Sequence, residues 1–574
     1  MKNFINDTGM VGIDDLESAL KEANKKKIAL GDLLLEKGLI KEAQLRKLQA
    51  YILGIPYVDL QKQTIPSDVL QIIPEPIARK YKIVAFERNG SELKIAMLDA
   101  DDIQTVDFIR KKTGMQIITC VTSEESLSAV LLQYGKSLKA EFGDIIEKNS
   151  QEVGEGGQEN SLEEIAQDLP IIKIVDTLIK HAILEGASDI HIEPDEKEVR
   201  VRYRIDGILH EAMILPRQVC DGIIARIKVL SNLKLDEHRI PQDGRFKLEK
   251  EGIKMSFRVS VLPIFDGEKI VMRLLDESSK GLTLEMMGVS GQAVEILHMQ
   301  IRKPNGMILV TGPTGSGKTT TLYTVMDILN TPEVNISTVE DPVEYRMPRI
   351  NQTQIHPKVG LSFAAGLRAL LRQDPDIIMV GEIRDTETME MAVNAAMTGH
   401  LVLSTLHTNS AAGTLPRLLD MGAEPFLLAS TVNVIIAQRL VRKVCLDCRT
   451  EYRLTEKDMK ALGGSYDMER ILETIKQSGI AKEKLKAKDK WADLKLYKSQ
   501  GCEHCTGGYR GRNGIYEVLE VDEDIRKLIS ERATAHAVEE KAREKGMLTM
   551  VEDGFAKCVK GITTIDEVLR VTKE

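Results

Sequence analysis

The sequence predicts a multidomain α/β protein, and three observations predict it. At 574 residues the chain exceeds what one hydrophobic core serves, because domains run to roughly 100 to 200 residues. Its later half alternates short apolar runs with segments of helical spacing, the pattern of a mostly parallel sheet covered by helices. About a quarter of the way along lies an acidic, Gly-rich stretch, Gln151-Glu-Val-Gly-Glu-Gly-Gly-Gln158, whose composition buries too little apolar surface to fold alone.

Taken in order, residues 1–138 form an N-terminal region of two lobes. Apolar residues at three-and-four spacing predict helices over 14–23, 29–37 and 41–53, the last two stopping at Gly38 and Gly54, so 1–56 is a helical lobe. After Pro56 the β-rich pieces 82–86 and 92–97 alternate with helix-like 102–113 and 123–134, which makes 57–138 a small α/β lobe. Residues 139–167 are expected to form a flexible acidic linker. A second α/β domain, 168–280, opens on an apolar-periodic helix over 171–185, followed by 187–193 and 198–204, which alternate as half-buried strands do. The third domain, 281–440, has a buried-strand run at 307–311, a Gly-rich loop, a helix from Lys318, and strands at 335–339, 376–380 and 401–405. Residues 441–520 carry two C-x-x-C pairs bracketing a lysine-rich insertion expected to be helical, and 521–574 form a helical tail.

Composition narrows the class. Hydrophobic residues are 43% and charged residues 29%, as in ordinary soluble proteins. With no run of about 18 apolar residues and no basic-then-apolar leader, the expected location is the cytoplasm. A formal charge of −9 offers no global field for a phosphate backbone, so nucleic acid is not an expected partner. Cys445, Cys448, Cys502 and Cys505 have the spacing of two metal knuckles, whereas Cys120, Cys220 and Cys558 are scattered. Four thiolates so paired fit a closed tetrahedral zinc site stapling both ends of the insertion, with free thiols or a redox pair as the alternative.

The phosphate chemistry is concentrated in the third domain. Gly312-Pro-Thr-Gly-Ser-Gly-Lys-Thr319 fits G-x-x-x-x-G-K-[ST] between an expected strand and an expected helix. Its glycines let successive N–H groups face a triphosphate at a helix N-terminus. Gly312, Pro313, Thr314, Gly315, Ser316, Gly317, Lys318, Thr319 and Thr320 are therefore the nucleotide-binding candidates, with Lys318 on the β- and γ-phosphates and Thr319 on Mg²⁺. Glu382, at the exposed end of an apolar strand, is the candidate for a metal-bound water, whereas Asp376 at the far end reads as structural. Glu340, Asp341 and Glu344 follow the intervening strand, and their chemistry alone does not rank them as the base for water. His400 and His407 flank the strand 401–405, either sensing a γ-phosphate or serving as structural histidines.

At this point a family resemblance is specific. The P-loop, Glu340-Asp-Pro-Val-Glu-Tyr345, Gly381-Glu-Ile-Arg-Asp385, Thr398-Gly-His400 with Leu406-His407, and Ser188-Asp-Ile-His-Ile-Glu-Pro194 with Pro241-Gln-Asp-Gly-Arg245 all recur here. From about residue 168 to the end the sequence resembles the ATPases of type II secretion and type IV pilus assembly. The resemblance implies a RecA-like P-loop domain preceded by a PAS-like α/β domain, hexameric rings, and hydrolysis of Mg-ATP. It implies Glu344 as general base, Glu382 as the Walker-B residue and His400 with His407 as the histidine-box pair. It also implies that arginines of the second domain reach the triphosphate. Arg202, Arg204, Arg239 and Arg245 are the candidates, against the alternative of surface or strand-pair arginines.

The tetracysteine element and the long N-terminal region resemble assembly motors rather than shorter retraction motors, so the direction implied is extension of a pilus. The nearest alternative is a type II secretion pseudopilus motor. More distant ones are a nucleotide-responsive module without turnover and a nucleic-acid ATPase with a zinc ribbon. Implied partners are copies of itself, an inner-membrane platform protein and a docking protein, with peripheral attachment to the inner face of the cell membrane. Some related N-terminal domains bind cyclic di-GMP through Arg-Leu-Gly and a later Gln. Here the tripeptide is Ala29-Leu30-Gly31 and Ile52 stands where Gln is expected. The lost guanidinium removes a bidentate contact, so a docking module is the favoured reading.

Overall fold

The computed structural model describes residues 20, 34–35, 39–40, 42–61, 63–70, 72–73, 77–78, 81–99, 102–131, 133, 168–250, 253–276, 281–502 and 505–573. Of the helices expected over 14–23 and 29–37 only residues 20 and 34–35 fall among them, and the linker 139–167 and the tripeptide Ala29-Leu30-Gly31 lie outside.

The third expected helix is present as α1 (Glu42–Leu53). Beyond it, β1 (Ile83–Asn89) pairs antiparallel with β2 (Glu92–Met97), and β2 pairs parallel with β3 (Gln116–Val121). The parallel return is made by α2 (Ile103–Thr113), whose N-cap Asp102 accepts from the Thr105 amide and whose end is set by Gly114 at φ 67°.

The described residues divide into two compact units, one holding those up to 203 with those of 210–253 and 257–274, the other those of 204–209, 254–256 and from 275 onward. In the first, α3 (Leu169–Leu184) buries Ile171, Ile174, Val175, Leu178, Ile179 and Ala182, a single stripe at helical spacing. The strands β4 (Ala187–Pro194), β5 (Glu198–Ile205), β6 (Ile208–Pro216), β7 (Gln242–Lys250), β8 (Ile253–Ile264) and β9 (Gly267–Asp276) form one sheet of order β6-β5-β4-β9-β8-β7, with α4 (Cys220–Leu230) between β6 and β7. On β5 the buried residues alternate, Val199, Val201 and Tyr203, and the Tyr203 hydroxyl donates to Leu178 O at 3.0 Å.

The second unit is built on a seven-stranded sheet. β10 (Gly306–Thr311), β11 (Ile336–Glu340), β12 (Ile350–Gln354), β13 (Ile377–Val380), β14 (Leu401–Leu406), β15 (Val432–Val444) and β18 (Tyr509–Glu520) lie in the order β12-β11-β13-β14-β10-β15-β18. All pairings are parallel except β15 with β18. Every residue of β10 is buried because both faces are covered. Met307 and Leu309 feed the core on one side; Ile308 and Val310 meet Leu322, Tyr323, Val325 and Met326 of α5 (Lys318–Leu329) on the other. Between β15 and β18 the insertion contains α6 (Met468–Ser478) and a two-stranded ladder of β16 (Arg449–Tyr452) with β17 (Leu496–Ser499). It is therefore mixed rather than helical. Beyond β18 the tail is helical, including α7 (Met550–Lys560) and α8 (Ile565–Thr572).

Candidate functional site

The P-loop leaves the C-terminal end of β10 and enters α5. Gly312, Gly315 and Gly317 have φ of 144°, 80° and 90°, which L side chains rarely adopt. At Gly312 the space is also closed, since a Cβ would stand 2.4 Å from Gln438 O. Gly317 caps α5 without a side-chain bond, so first-turn N–H groups remain for an anion. Pro313, Thr314, Gly315, Thr319 and Thr320 are exposed along this cradle. The Ser316 hydroxyl is buried with no hydrogen-bond partner among the described residues. Lys318 folds back over the loop, its Nζ donating to Gly312 O at 2.8 Å and Pro313 O at 3.2 Å. Burial pushes its ammonium below the usual lysine range, and the Glu382 carboxylate opposes that shift.

Three more groups reach this end of the sheet. Glu382, two residues past β13 and 14% exposed, pairs with Arg384 and with His407 Nε2 at 3.4 Å. His407 directly follows β14, whose last residue Leu406 pairs with Thr311 beside the P-loop. Past β11 the three carboxylates separate by environment. Glu340 is buried, accepting from Tyr323 Oη, Thr338 Oγ1 at 2.6 Å and Gln352 Nε2 at 3.1 Å; burial nevertheless holds its carboxyl above the ordinary range. Asp341 is exposed. Glu344 has a buried Oε2 with no partner among the described residues, and its backbone N–H donates to Tyr323 Oη at 3.4 Å. That carboxylate oxygen keeps acceptor capacity that no described residue uses.

His400 lies elsewhere. It precedes β14 at the opposite end of the strand, where its Nδ1 meets Ala395 O at 2.9 Å and its carbonyl accepts from Gly306 N. Six residues at about 3.3 Å each place it roughly 20 Å from the P-loop end. Asp376 is likewise at that far end, accepting from Asn335 N at 2.7 Å. Of the arginines, Arg202 makes two bonds to Glu193, at 2.8 and 2.9 Å, and Arg204 donates to Gly207 O. Burial alone would raise the Glu193 carboxyl, but bonds from Arg202 and Lys269 outweigh it and hold it at about 2. Arg239 and Arg245 are exposed.

Cys445, Cys448, Cys502 and Cys505 bring four sulfurs within 4.8 Å of one another. Cys445–Cys502, Cys448–Cys505 and Cys502–Cys505 are 3.8, 3.7 and 3.6 Å apart. A tetrahedral ion with bonds of about 2.3 Å sets its sulfurs about 3.8 Å apart, so the donor set fits one metal ion.

Several groups at the site carry no sequence signal. Gln438 on β15 braces the P-loop, donating to Ser316 O and accepting from Thr321 Oγ1, both at 2.7 Å. Thr311 Oγ1 meets Thr408 N, O and Oγ1 at 2.8, 3.0 and 2.7 Å and so ties the root of the P-loop to the segment after His407.

Comparison with known proteins gives the family of the chain. The family described as Type II/IV secretion system protein matches residues 164–570, and the MshEN domain matches residues 53–141. The type IV pilus assembly ATPase PilB of Myxococcus xanthus is 40% identical over 566 residues, 98% of this chain and 96% of that protein. The type II secretion system protein E of Xanthomonas campestris is 38% identical over 564 residues, again 98% and 96%. Among solved structures, the ATPase DotB of Legionella pneumophila shares the fold at 21% identity and TM-score 0.50, over 70% of this chain and 95% of that one.

Proposed function

The chain belongs to the type II/IV secretion system protein family, whose members are ATPases, and from that premise we propose that it is a hexameric motor coupling ATP hydrolysis to the extension of a type IV pilus. The observation that carries this reading is one of placement. The P-loop, the unpartnered Glu344 oxygen and the Glu382–His407 pair all stand at the strand C-terminal end of one sheet, where such folds bind nucleotide.

Gly312 to Thr320 cradle the phosphates, and Lys318 exchanges its two loop carbonyls for the β- and γ-oxygens. Glu344 orients the attacking water and takes its proton at Oε2. Thr319 and Glu382, hard oxygen donors, would hold Mg²⁺, and the ion would neutralise the developing charge. His407, with Nε2 3.4 Å from the Glu382 carboxylate, registers the γ-phosphate. His400, at the other end of β14, would act by anchoring that strand.

Residues 168–280, as a PAS-like domain, supply arginines to the RecA-like domain 281–440 of an adjoining subunit, closing on ATP and reopening after release. Swinging such a clamp from 1:99 to 99:1 takes about 5.5 kcal/mol of preference for the closed state. The four cysteines hold structural zinc. Residues 1–138 dock the ring on an inner-membrane platform protein, placing it on the cytoplasmic face. No helix among the described residues is long and apolar enough to cross a membrane.

The second reading is a type II secretion motor, favoured by the equal coverage of the Xanthomonas protein. The test is Glu344→Gln in the native host, with turnover measured on the purified protein. Loss of turnover and of surface filaments with unchanged export supports pilus extension, and missing exported proteins with normal filaments supports secretion. Full turnover in this variant would sink the assignment of Glu344.

A further inference from the structure

Among the four candidate arginines, Arg239 has the guanidinium with no hydrogen bond or ion pair among the described residues. It stands exposed on the loop 231–241 between α4 and β7. The loop around it is fixed by an unusual anchor. Lys228 on α4 and Glu268 on β9 form a buried ion pair, 1% and 5% exposed, with Nζ to Oε2 at 2.7 Å. Both groups also reach into the loop. Lys228 Nζ donates to Glu237 O at 2.9 Å, and Glu268 Oε2 lies 2.7 Å from His238 Nδ1. The carboxylate can only accept, so Nδ1 carries the proton and donates; Lys228 Nζ, 3.5 Å from the same nitrogen, is a donor as well.

A buried ion pair is weak evidence for stability, since apolar residues of similar volume usually serve as well. What this pair provides is direction. The rest of the loop is held to match: Gln242 bonds Lys234 N, Lys234 O and Glu237 O at 2.9, 3.0 and 3.0 Å, and the Glu237 carboxylate accepts from Arg239 N at 2.7 Å. Gly244, in the same Pro241-Gln-Asp-Gly-Arg245 box, has no room for a Cβ, which would meet Ser231 O at 2.6 Å. The backbone on both sides of Arg239 is pinned, and its side chain alone is left to find a ligand.

We propose that His238 is a positioning residue, latching the loop onto the buried Lys228–Glu268 pair and thereby aiming Arg239 at the triphosphate. The inference rests on the reading in which arginines of residues 168–280 reach nucleotide on an adjoining subunit. His238 is half-exposed, so its removal leaves the ion pair intact while freeing the loop. A misplacement of about an ångström is enough to cost up to about a hundredfold in rate.

The experiment is Mg-ATP hydrolysis by the full-length, assembled protein, followed by phosphate release, for Arg239→Ala, His238→Ala, the double variant and His238→Asn. Asn keeps an N–H where Nδ1 stood. The expected result is a fall of about tenfold or more in kcat/KM for His238→Ala, recovery of most of it by His238→Asn, and a double variant no worse than Arg239→Ala. An unchanged rate in His238→Ala, no recovery with Asn, or losses that multiply in the double variant would each overturn the proposal. Parent-like hydrolysis by Arg239→Ala alone would overturn both the proposal and the reading beneath it, and that outcome is read from the single variant.

Discussion

The Tyr323 hydroxyl is the junction between the P-loop helix and the acidic segment beyond β11. It donates to Glu340, accepts from Glu344 N at 3.4 Å and Gln352 Nε2 at 3.3 Å, and sits on a ring packed edge-on against Tyr345. Tyr323→Phe leaves Glu340 buried with one donor fewer, which costs about 1–3 kcal/mol. The expected outcome is a lower thermal midpoint together with a fall in kcat larger than any rise in KM for ATP, because Glu344 loses its reference to the P-loop. Equal kcat in the Phe variant would show that the hydroxyl does not position Glu344. Gly312→Ala should act earlier, on binding: its Cβ meets a backbone carbonyl that cannot turn aside, at a φ of 144°. Loss of nucleotide binding in equilibrium titration is expected, and parent-like affinity would show the loop is not so constrained. The P-loop glycines and Glu382 were legible because their chemistry lies in contiguous spacing. Tyr323 and Gln438 were not, since one reads as core on an apolar helix and the other acts across 122 residues of chain. The three carboxylates near β11 look alike in sequence and part company only through which hydrogen bonds each already makes.

At the level of elements, the insertion shows how bringing two distant cysteine pairs together dictates secondary structure. Bringing Cys445–Cys448 against Cys502–Cys505 sets two chain ends side by side, and β16 and β17 pair directly from that point, Arg449 opposite Ser499. Lysine-rich composition spoke for helix, and long-range closure overrode it locally, while α6 kept its helical stripe of Met468, Ile471, Leu472 and Ile475. The insertion is fastened to the tail by Trp491, 3% exposed, whose Nε1 donates to Met468 O at 2.6 Å and whose ring stands 5.6 Å from that of Phe555 on α7. It is the single tryptophan of the chain, so tryptophan fluorescence is read from this junction. Structural zinc contributes folding free energy directly. Stripping the metal with a strong chelator should release about one zinc per chain and red-shift Trp491 emission as its pocket opens. Complete zinc loss with unchanged emission would mean that the apolar core of the insertion holds without its staple.

For the molecule as a whole, the parallel sheet was legible, whereas the placement of β18 beside β15 was not, because sheet order depends on contacts far apart in sequence. That placement buries Glu517. Burial pushes its carboxyl up to about 7, even though Ala411 N and Met550 N donate to its two oxygens at 2.9 and 3.2 Å. It thus joins the segment after His407 to the first residue of α7. The opposite case is Glu567, where burial would raise the carboxyl but bonds from Arg570 and Arg442 outweigh it and hold it at about 2. The signs follow from which state binds the proton better. Glu567 contributes stability that is present above its unfolded value of 4.5 and lost as pH falls toward 2. Glu517 is the reverse: its contribution is full below 4.5 and is lost as pH rises through about 7. The shift amounts to roughly 3 kcal/mol at about 1.4 kcal/mol per unit. Unfolding followed by Trp491 fluorescence, which reports the same unit, should therefore show the parent losing stability between about pH 5 and pH 8. Glu517→Gln, which cannot ionise, should lose less over that interval. If the parent and the variant decline in parallel, Glu517 is already ionised in the folded protein at pH 5, and its two backbone donors outweigh its burial.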